Sequence, residues 1–156
     1  MIRSRMAQCM IRRQSGIGML EVLIAVLIVS IGFLGMAALQ AKALSTNNSA
    51  MARSMATVAS YSILDAMRTD LTAAESGAYN TTVTTSSCPA PGQTLGSVQL
   101  NQWCGQLGAA LGVADTTQGT VNCSNTADCT VTIQFDDSRA GAGGSQKQQV
   151  VTRAGL

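Results

Sequence analysis

One carboxylate lies near the start of a long apolar run, where an isolated charge is unfavourable. Glu21 is the only charged residue in residues 17–39. At a rise of about 1.5 Å per residue, a helix of this length crosses a hydrocarbon core of about 30 Å. A carboxylate at the bilayer centre costs roughly 2.5–3.5 kcal/mol, and intramembrane charges commonly have functional partners. If the bond after Gly16 is cut, the new α-amino group of Ile17 is a cation that can pair with Glu21, in the same chain or in a neighbouring copy.

A short basic segment precedes the apolar run and ends at Gly16. Its positive charges are Arg3, Arg5, Arg12 and Arg13. With Ile17 after the glycine and Glu21 at the fifth position, this order resembles the class III signal of type IV prepilins. Residues 30–40 resemble the minor pilins of the PilV type. The resemblance implies cleavage between Gly16 and Ile17 by prepilin peptidase, N-methylation of Ile17, and a role for Glu21 in assembly.

An ordinary secretory signal or a plain membrane anchor also begins with a basic region and an apolar run. Residues 41–43, Ala-Lys-Ala, even offer a small-residue cleavage site. The apolar run is longer than the usual 7–15 residues of a signal core. Such cores also tolerate a carboxylate poorly, so Glu21 favours the prepilin interpretation.

The charge distribution indicates a membrane topology. The chain has ten basic and eight acidic residues. Without residues 1–16 it has six basic and eight acidic residues, which gives a formal charge of −2. The leader arginines predict a cytoplasmic N-terminus and a head across the inner membrane, in the periplasm. No basic patch alternates with aromatic residues, so nucleic-acid binding has no support.

The cysteine count is consistent with export. Cleavage after Gly16 removes Cys9 and leaves four cysteines, which can pair fully. Of the three connectivities, Cys88–Cys104 with Cys123–Cys129 is favoured because both bridges close short loops. A zinc site built from four thiolates is the alternative. However, paired C-x2-C units are missing, and an oxidising periplasm favours disulfides.

The residues after the apolar run predict that the helix continues to residue 71. Residues 40–71 contain neither Pro nor Gly, and helix-forming residues are frequent. The larger apolar residues form a slowly turning stripe, interpreted as packing against the head: Leu44, Met51, Met55, Val58, Tyr61, Leu64, Met67 and Leu71.

The remaining residues predict a small head. A short strand is expected at 81–85, a helix at 98–111, an alternating strand at 129–135, a flexible turn at 136–146 and a returning strand at 147–156. The predicted fold is α+β and pilin-like: a long N-terminal helix packed on a small antiparallel sheet with disulfides. We expect a leader at 1–16, a membrane-spanning and filament-core helix at 17–43, its periplasmic half at 44–71, and the head at 72–156.

Few residues point to catalysis. The chain has no His. Asp136 and Asp137 form a pair of carboxylates that is more simply the solvated end of a strand. Asp115 and Asp128 lie in polar loops, where Asp shapes turns and where calcium binding has only weak support. We therefore expect neither an enzyme nor a cofactor or metal site.

The resemblance implies a minor pilin that takes part in priming the type IV pilus at its tip, for adhesion and twitching motility. It also implies the partners: other minor and major pilins, prepilin peptidase, the inner-membrane assembly platform and a tip adhesin. The subunit would leave the inner membrane for a pilus at the cell surface. Two alternatives remain, a type II secretion pseudopilin and a monomeric, membrane-anchored periplasmic binding domain.

Overall fold

A computed structural model of the chain describes Gly16, residues 18–140 and residues 143–156. Contacts divide the chain into two units, Met1–Gln40 and Ala41–Leu156. The helices are α1 (Met19–Thr69), α2 (Leu71–Glu75) and α3 (Leu95–Leu111), with a short 3₁₀ helix at Ser138–Ala140. The strands are β1 (Thr81–Thr84), β2 (Gln118–Cys123), β3 (Asp128–Phe135) and β4 (Gln148–Gly155).

The four strands form one antiparallel sheet in the order β1-β2-β3-β4. The predicted alternation of β3 is confirmed, because every second residue from Cys129 to Phe135 is buried. The returning strand is also present, as β4. Sequence patterning did not predict β2, in which Val121 lies between β1 and β3 and pairs with Val131.

The long helix ends two residues earlier than predicted. Thr69 donates its hydroxyl to the carbonyl of Ala66 at 2.7 Å. Asp70 follows with φ −134° and ψ 53°, outside helical geometry, and α2 begins after it. Local hydrogen bonds from a threonine hydroxyl and a non-helical aspartate are typical of helix ends.

The third helix begins three residues earlier than predicted because its N-terminus is capped. The side chain of Thr94 accepts a hydrogen bond from the Ser97 amide, which satisfies one of the free donors of the first turn. The helix ends at Gly112, whose φ of 98° is a conformation that side chains rarely adopt.

The core forms where α1 and α3 cover one face of the sheet. The indole Nε1 of Trp103 donates to the backbone carbonyl of Ala59 at 2.9 Å, and Trp103 is 2% exposed. Such a bond requires the indole to approach the helix backbone closely. Small residues at Ala56, Ala59 and Ser60 allow that approach because they leave room beside α1.

Two disulfides stabilise the head. They join Cys88 to Cys104 and Cys123 to Cys129, the pairs that loop length favours. The first connects the loop after β1 to α3 across a sequence separation of 16; a loop of this size contributes roughly 3 kcal/mol in the chain-entropy account. The fold is α+β and pilin-like, with a long apolar N-terminal helix packed on a small antiparallel sheet.

Candidate assembly site

The predicted processing site lies at the boundary of the described residues. Gly16 is exposed, whereas Ile17 and residues 1–15 lie outside the described part of the chain. Cleavage before Ile17 and its N-methylation therefore stay predictions. Glu21 lies in the first turn of α1, where its backbone amide donates to the Gly18 carbonyl at 2.9 Å.

The apolar segment of α1 has the properties of a membrane span. Residues 19–40 are all exposed, and an 18-residue window of the helix has a mean hydropathy of 2.8. Ser30, the one hydroxyl residue among them, donates to the Val26 carbonyl at 2.7 Å, so its polar group is satisfied within the helix. The helix is long and apolar enough to span a membrane.

The predicted packing stripe on the second half of α1 is largely wrong. Only Leu64 and Met67 of its eight members are buried. The others are exposed by 38–65%, and they are Leu44, Met51, Met55, Val58, Tyr61 and Leu71. The buried face consists instead mainly of smaller side chains, because Trp103 packs close to the helix backbone there.

Four of the exposed members lie on one side of α1. At 3.6 residues per turn, Leu44, Met51, Met55 and Val58 fall within an arc of about 60°, whose centre is roughly two fifths of a turn from the centre of the buried face. We call these four residues the apolar row. Exposed apolar side chains grouped on one face of a helix commonly mark contact surfaces, so the row is a candidate assembly surface.

A line of polar side chains on α1 holds the loop after β3. Lys42, Ser45, Ser49 and Arg53, which we call the polar seam, all contact that loop or the start of β4. Ser45 donates its hydroxyl to the Arg139 carbonyl at 2.6 Å, and Lys42 Nζ lies 3.5 Å from the Ala140 carbonyl. Arg53 donates to the side-chain oxygen of Gln148 at 3.2 Å. Residues 136–140 are thus held by α1 rather than forming the flexible turn predicted from their composition.

At the buried end of the polar seam, the prediction that Asp137 belongs to a solvated strand end is wrong. Asp137 is 7% exposed, so it is not a solvated strand end. Its Oδ2 accepts a hydrogen bond from the hydroxyl of Ser49 at 2.5 Å and lies 3.6 Å from Arg53 Nη2. Asp136, by contrast, is exposed; a hydrogen bond from the Ser138 amide lowers the pKa of its carboxyl group. The two carboxylates therefore differ in burial, and each has its own structural partners.

The remaining acidic candidates shape turns, as expected. Asp115 accepts a hydrogen bond from the hydroxyl of Ser86. Asp128, the first residue of β3, accepts one from the hydroxyl of Thr126 at 3.3 Å, in the tight turn that precedes the strand. The cysteine sulfurs are bonded in pairs, which leaves no thiolate for the alternative zinc site among the described residues.

A buried tyrosine closes the other end of the head. The Tyr79 side chain is fully buried, and its hydroxyl lies 3.2 Å from Asp70 Oδ2 and also contacts Gln99 Oε1. Burial, followed by the nearby Asp70 charge, raises the pKa of Tyr79 to about 12. Both effects favour the neutral hydroxyl, because the phenolate would be poorly solvated and close to a carboxylate.

This shift predicts an alkaline transition. The raised pKa of Tyr79 means that its contribution to stability is complete below about pH 10 and is lost as the pH rises through about 12. The difference in tyrosinate absorbance between wild type and Tyr79→Phe should therefore develop near pH 12. A difference signal complete by pH 10 would contradict the buried environment of this hydroxyl.

No protein-family model, curated protein or solved structure matches the chain. Assignment to a family accordingly depends on the residues around Gly16 and Glu21 and on the fold. Sequence reasoning missed the polar seam. The spacing of Ser45, Ser49 and Arg53 by four residues on one helix face was the available signal.

Proposed function

We propose that this chain is a minor pilin, a subunit of the type IV pilus that is processed at Gly16 and takes part in assembly at the filament tip. It would be inserted in the inner membrane with a cytoplasmic N-terminus and a periplasmic head, and would later move into a pilus serving adhesion and twitching motility. Its partners would be other minor and major pilins, prepilin peptidase, the inner-membrane assembly platform and a tip adhesin.

The apolar row is the observation that carries this proposal. A monomeric anchored domain would gain from polar residues on this face, because they would face water in the periplasm. Leu44, Met51 and Val58 are each at least 59% exposed although they lie beyond the apolar span. Helices that associate side by side in a filament would cover such a surface.

Glu21 supports the same conclusion. A plain anchor gains nothing from a carboxylate in its span, where the charge costs free energy. A polymer in which each carboxylate meets an N-terminal amine of a neighbouring subunit does gain from it. The two disulfides and the resemblance of residues 30–40 to pilins favour a pilus over a secretion pseudopilus.

The apolar row can be tested by placing a charge on it. Met51→Glu should lower the amount of the chain in sheared filaments by about tenfold, since burial of an unpaired carboxylate against a neighbouring helix is costly. Its free energy of unfolding should change by no more than about 0.5 kcal/mol, because Met51 is exposed in the subunit.

Thr57→Glu is the matched control. Thr57 is exposed on the same helix but lies outside both the apolar row and the buried face. This variant should enter filaments like the wild type. Equal incorporation of Met51→Glu and Thr57→Glu, measured by quantitative immunoblotting of sheared filaments, would refute the role of the row.

A further inference from the structure

The last strand of the sheet has an unusually open edge. The amide of Leu156 donates to the Ala127 carbonyl at 3.0 Å, so these two residues form a hydrogen-bonded pair. Together with the register of β3 and β4, this pair shows which residues of β4 bond to β3. In an antiparallel ladder, bonded and non-bonded pairs alternate. The residues whose N–H and C=O groups point away from β3 are therefore Gln149, Val151, Arg153 and Gly155. No described strand pairs with this side of β4.

The opposite edge of the sheet is protected. Strand β1 spans only Thr81–Thr84, and the chain turns back over its end, where the Ser87 amide donates to the Thr84 carbonyl at 2.9 Å. The disulfide between Cys88 and Cys104 fixes this loop. Natural sheets protect their edges by short strands and covering loops. Strand β4 is eight residues long, and among the described residues no strand pairs with its outer side.

The core beside β4 is also incompletely covered. Val150, Ala154 and Leu156 pack against the core but are only partly buried. On the other face of the strand, Val151 is 52% exposed, and the exposed Arg153 follows it on the same face. One additional strand would cover apolar surface on both faces of β4.

We propose that the free edge of β4 accepts an extended segment of another polypeptide as a fifth antiparallel strand. Backbone hydrogen bonds would supply affinity, and alternate side chains would supply specificity. The segment would carry an apolar or β-branched residue opposite Val151 and a carboxylate opposite Arg153. Its intervening residues would be apolar, because they face Val150 and Ala154.

A second copy of this chain is a poorer occupant on charge grounds. Two β4 strands paired about Val151 would place Gln149, not a carboxylate, opposite Arg153. Strand β4 contains no acidic residue at all, and β1 is covered. The complementary segment therefore belongs to a different polypeptide. This inference depends on the sheet alone, so it holds whether the chain is a filament subunit or an anchored domain.

Site-specific crosslinking in cells tests the proposal directly. A photoreactive amino acid placed at Gln149 or at Val151 of the full chain should crosslink to a single extended segment. Moving the probe by two residues should move the crosslinked residue by two in the opposite direction, the signature of an antiparallel ladder. A probe at Asn122, which is exposed on β2 away from the edges, should give no crosslink to that segment.

A backbone variant distinguishes a loss of strand addition at the β4 edge from a loss of the folded sheet. Val151→Pro removes an outward N–H while leaving the hydrogen bonds to β3 in place. It should reduce crosslinking from Gln149 by about tenfold, whereas Val151→Thr, which keeps the N–H, should not. Matching unfolding temperatures for the two variants would show that the sheet is retained.

Several results would contradict the proposal that β4 accepts a fifth strand. The proposal fails if the wild type gives no crosslink, if the probes crosslink to a helix or to a second copy, or if Val151→Pro crosslinks like Val151→Thr. Missing crosslinks in a chain that still enters filaments would refute the strand proposal alone. Crosslinks in a chain that never enters filaments would instead refute the pilin proposal.

Discussion

Replacing Glu21 with valine is expected to leave membrane insertion intact and to remove most of the chain from filaments. Insertion should improve slightly, because an unfavourable charge disappears from an otherwise apolar span. Incorporation should fall because the N-terminal amine of a neighbouring subunit loses its partner. Stranding one charge of a buried pair costs roughly 3–5 kcal/mol, so a loss of about tenfold or more is expected in sheared filaments.

Two control variants distinguish the effect of losing the charge at residue 21 from the effect of changing the shape of a side chain. Leu20→Val changes an apolar residue of the same turn and should assemble normally. Glu21→Asp retains the charge but shortens its reach, and it should assemble better than Glu21→Val. Filaments of unchanged number and composition in the Glu21→Val strain would exclude the pairing role.

Replacing Gly119 with alanine is expected to destabilise the head by about 1–3 kcal/mol, the usual cost of overpacking a core. A Cβ at this position of β2 would lie 2.7 Å from Leu107 Cδ1 and 2.8 Å from Trp103 Cζ3. The indole cannot move away freely, because its Nε1 is bonded to the Ala59 carbonyl. Thermal unfolding of the full chain in detergent micelles should show a decrease in Tm of roughly 5–20 °C.

Gly105→Ala provides the matched control on α3. A Cβ at Gly105 would meet no atom within 4 Å, and alanine favours a helix interior by about 0.8–1.0 kcal/mol over glycine. This variant should be as stable as the wild type or more so. A Tm for Gly119→Ala within one or two degrees of the Gly105→Ala value would contradict the packing described for Trp103.

Patterns that depend on neighbouring residues could be predicted from the sequence. The long helix, the alternation of β3 and the returning strand follow from local periodicity, which burial on one face imposes. The pairs Cys88–Cys104 and Cys123–Cys129 could be favoured because short loops close easily. Strand β2 was missed because Gly119 and its polar neighbours lack the alternation of a half-buried strand.

Features that depend on tertiary contacts could not be predicted. The apolar row looked like a core stripe, because hydrophobicity alone does not distinguish a face that packs on the head from one that stays exposed in the subunit. The small residues around Ala59 form the core face because Trp103 needs room there, and Trp103 lies far away in sequence. Asp137 looked like a solvated strand end because its partner, Ser49, lies 88 residues away in sequence.

The central claim, that this chain is a processed filament subunit, is tested most directly by determining its N-terminus in sheared filaments by mass spectrometry. We predict that the chain is present in that fraction and begins at N-methylated Ile17. A chain that stays in the membrane fraction with residues 1–16 attached, or one that begins at Ala7, Lys42 or Leu44, would contradict the account.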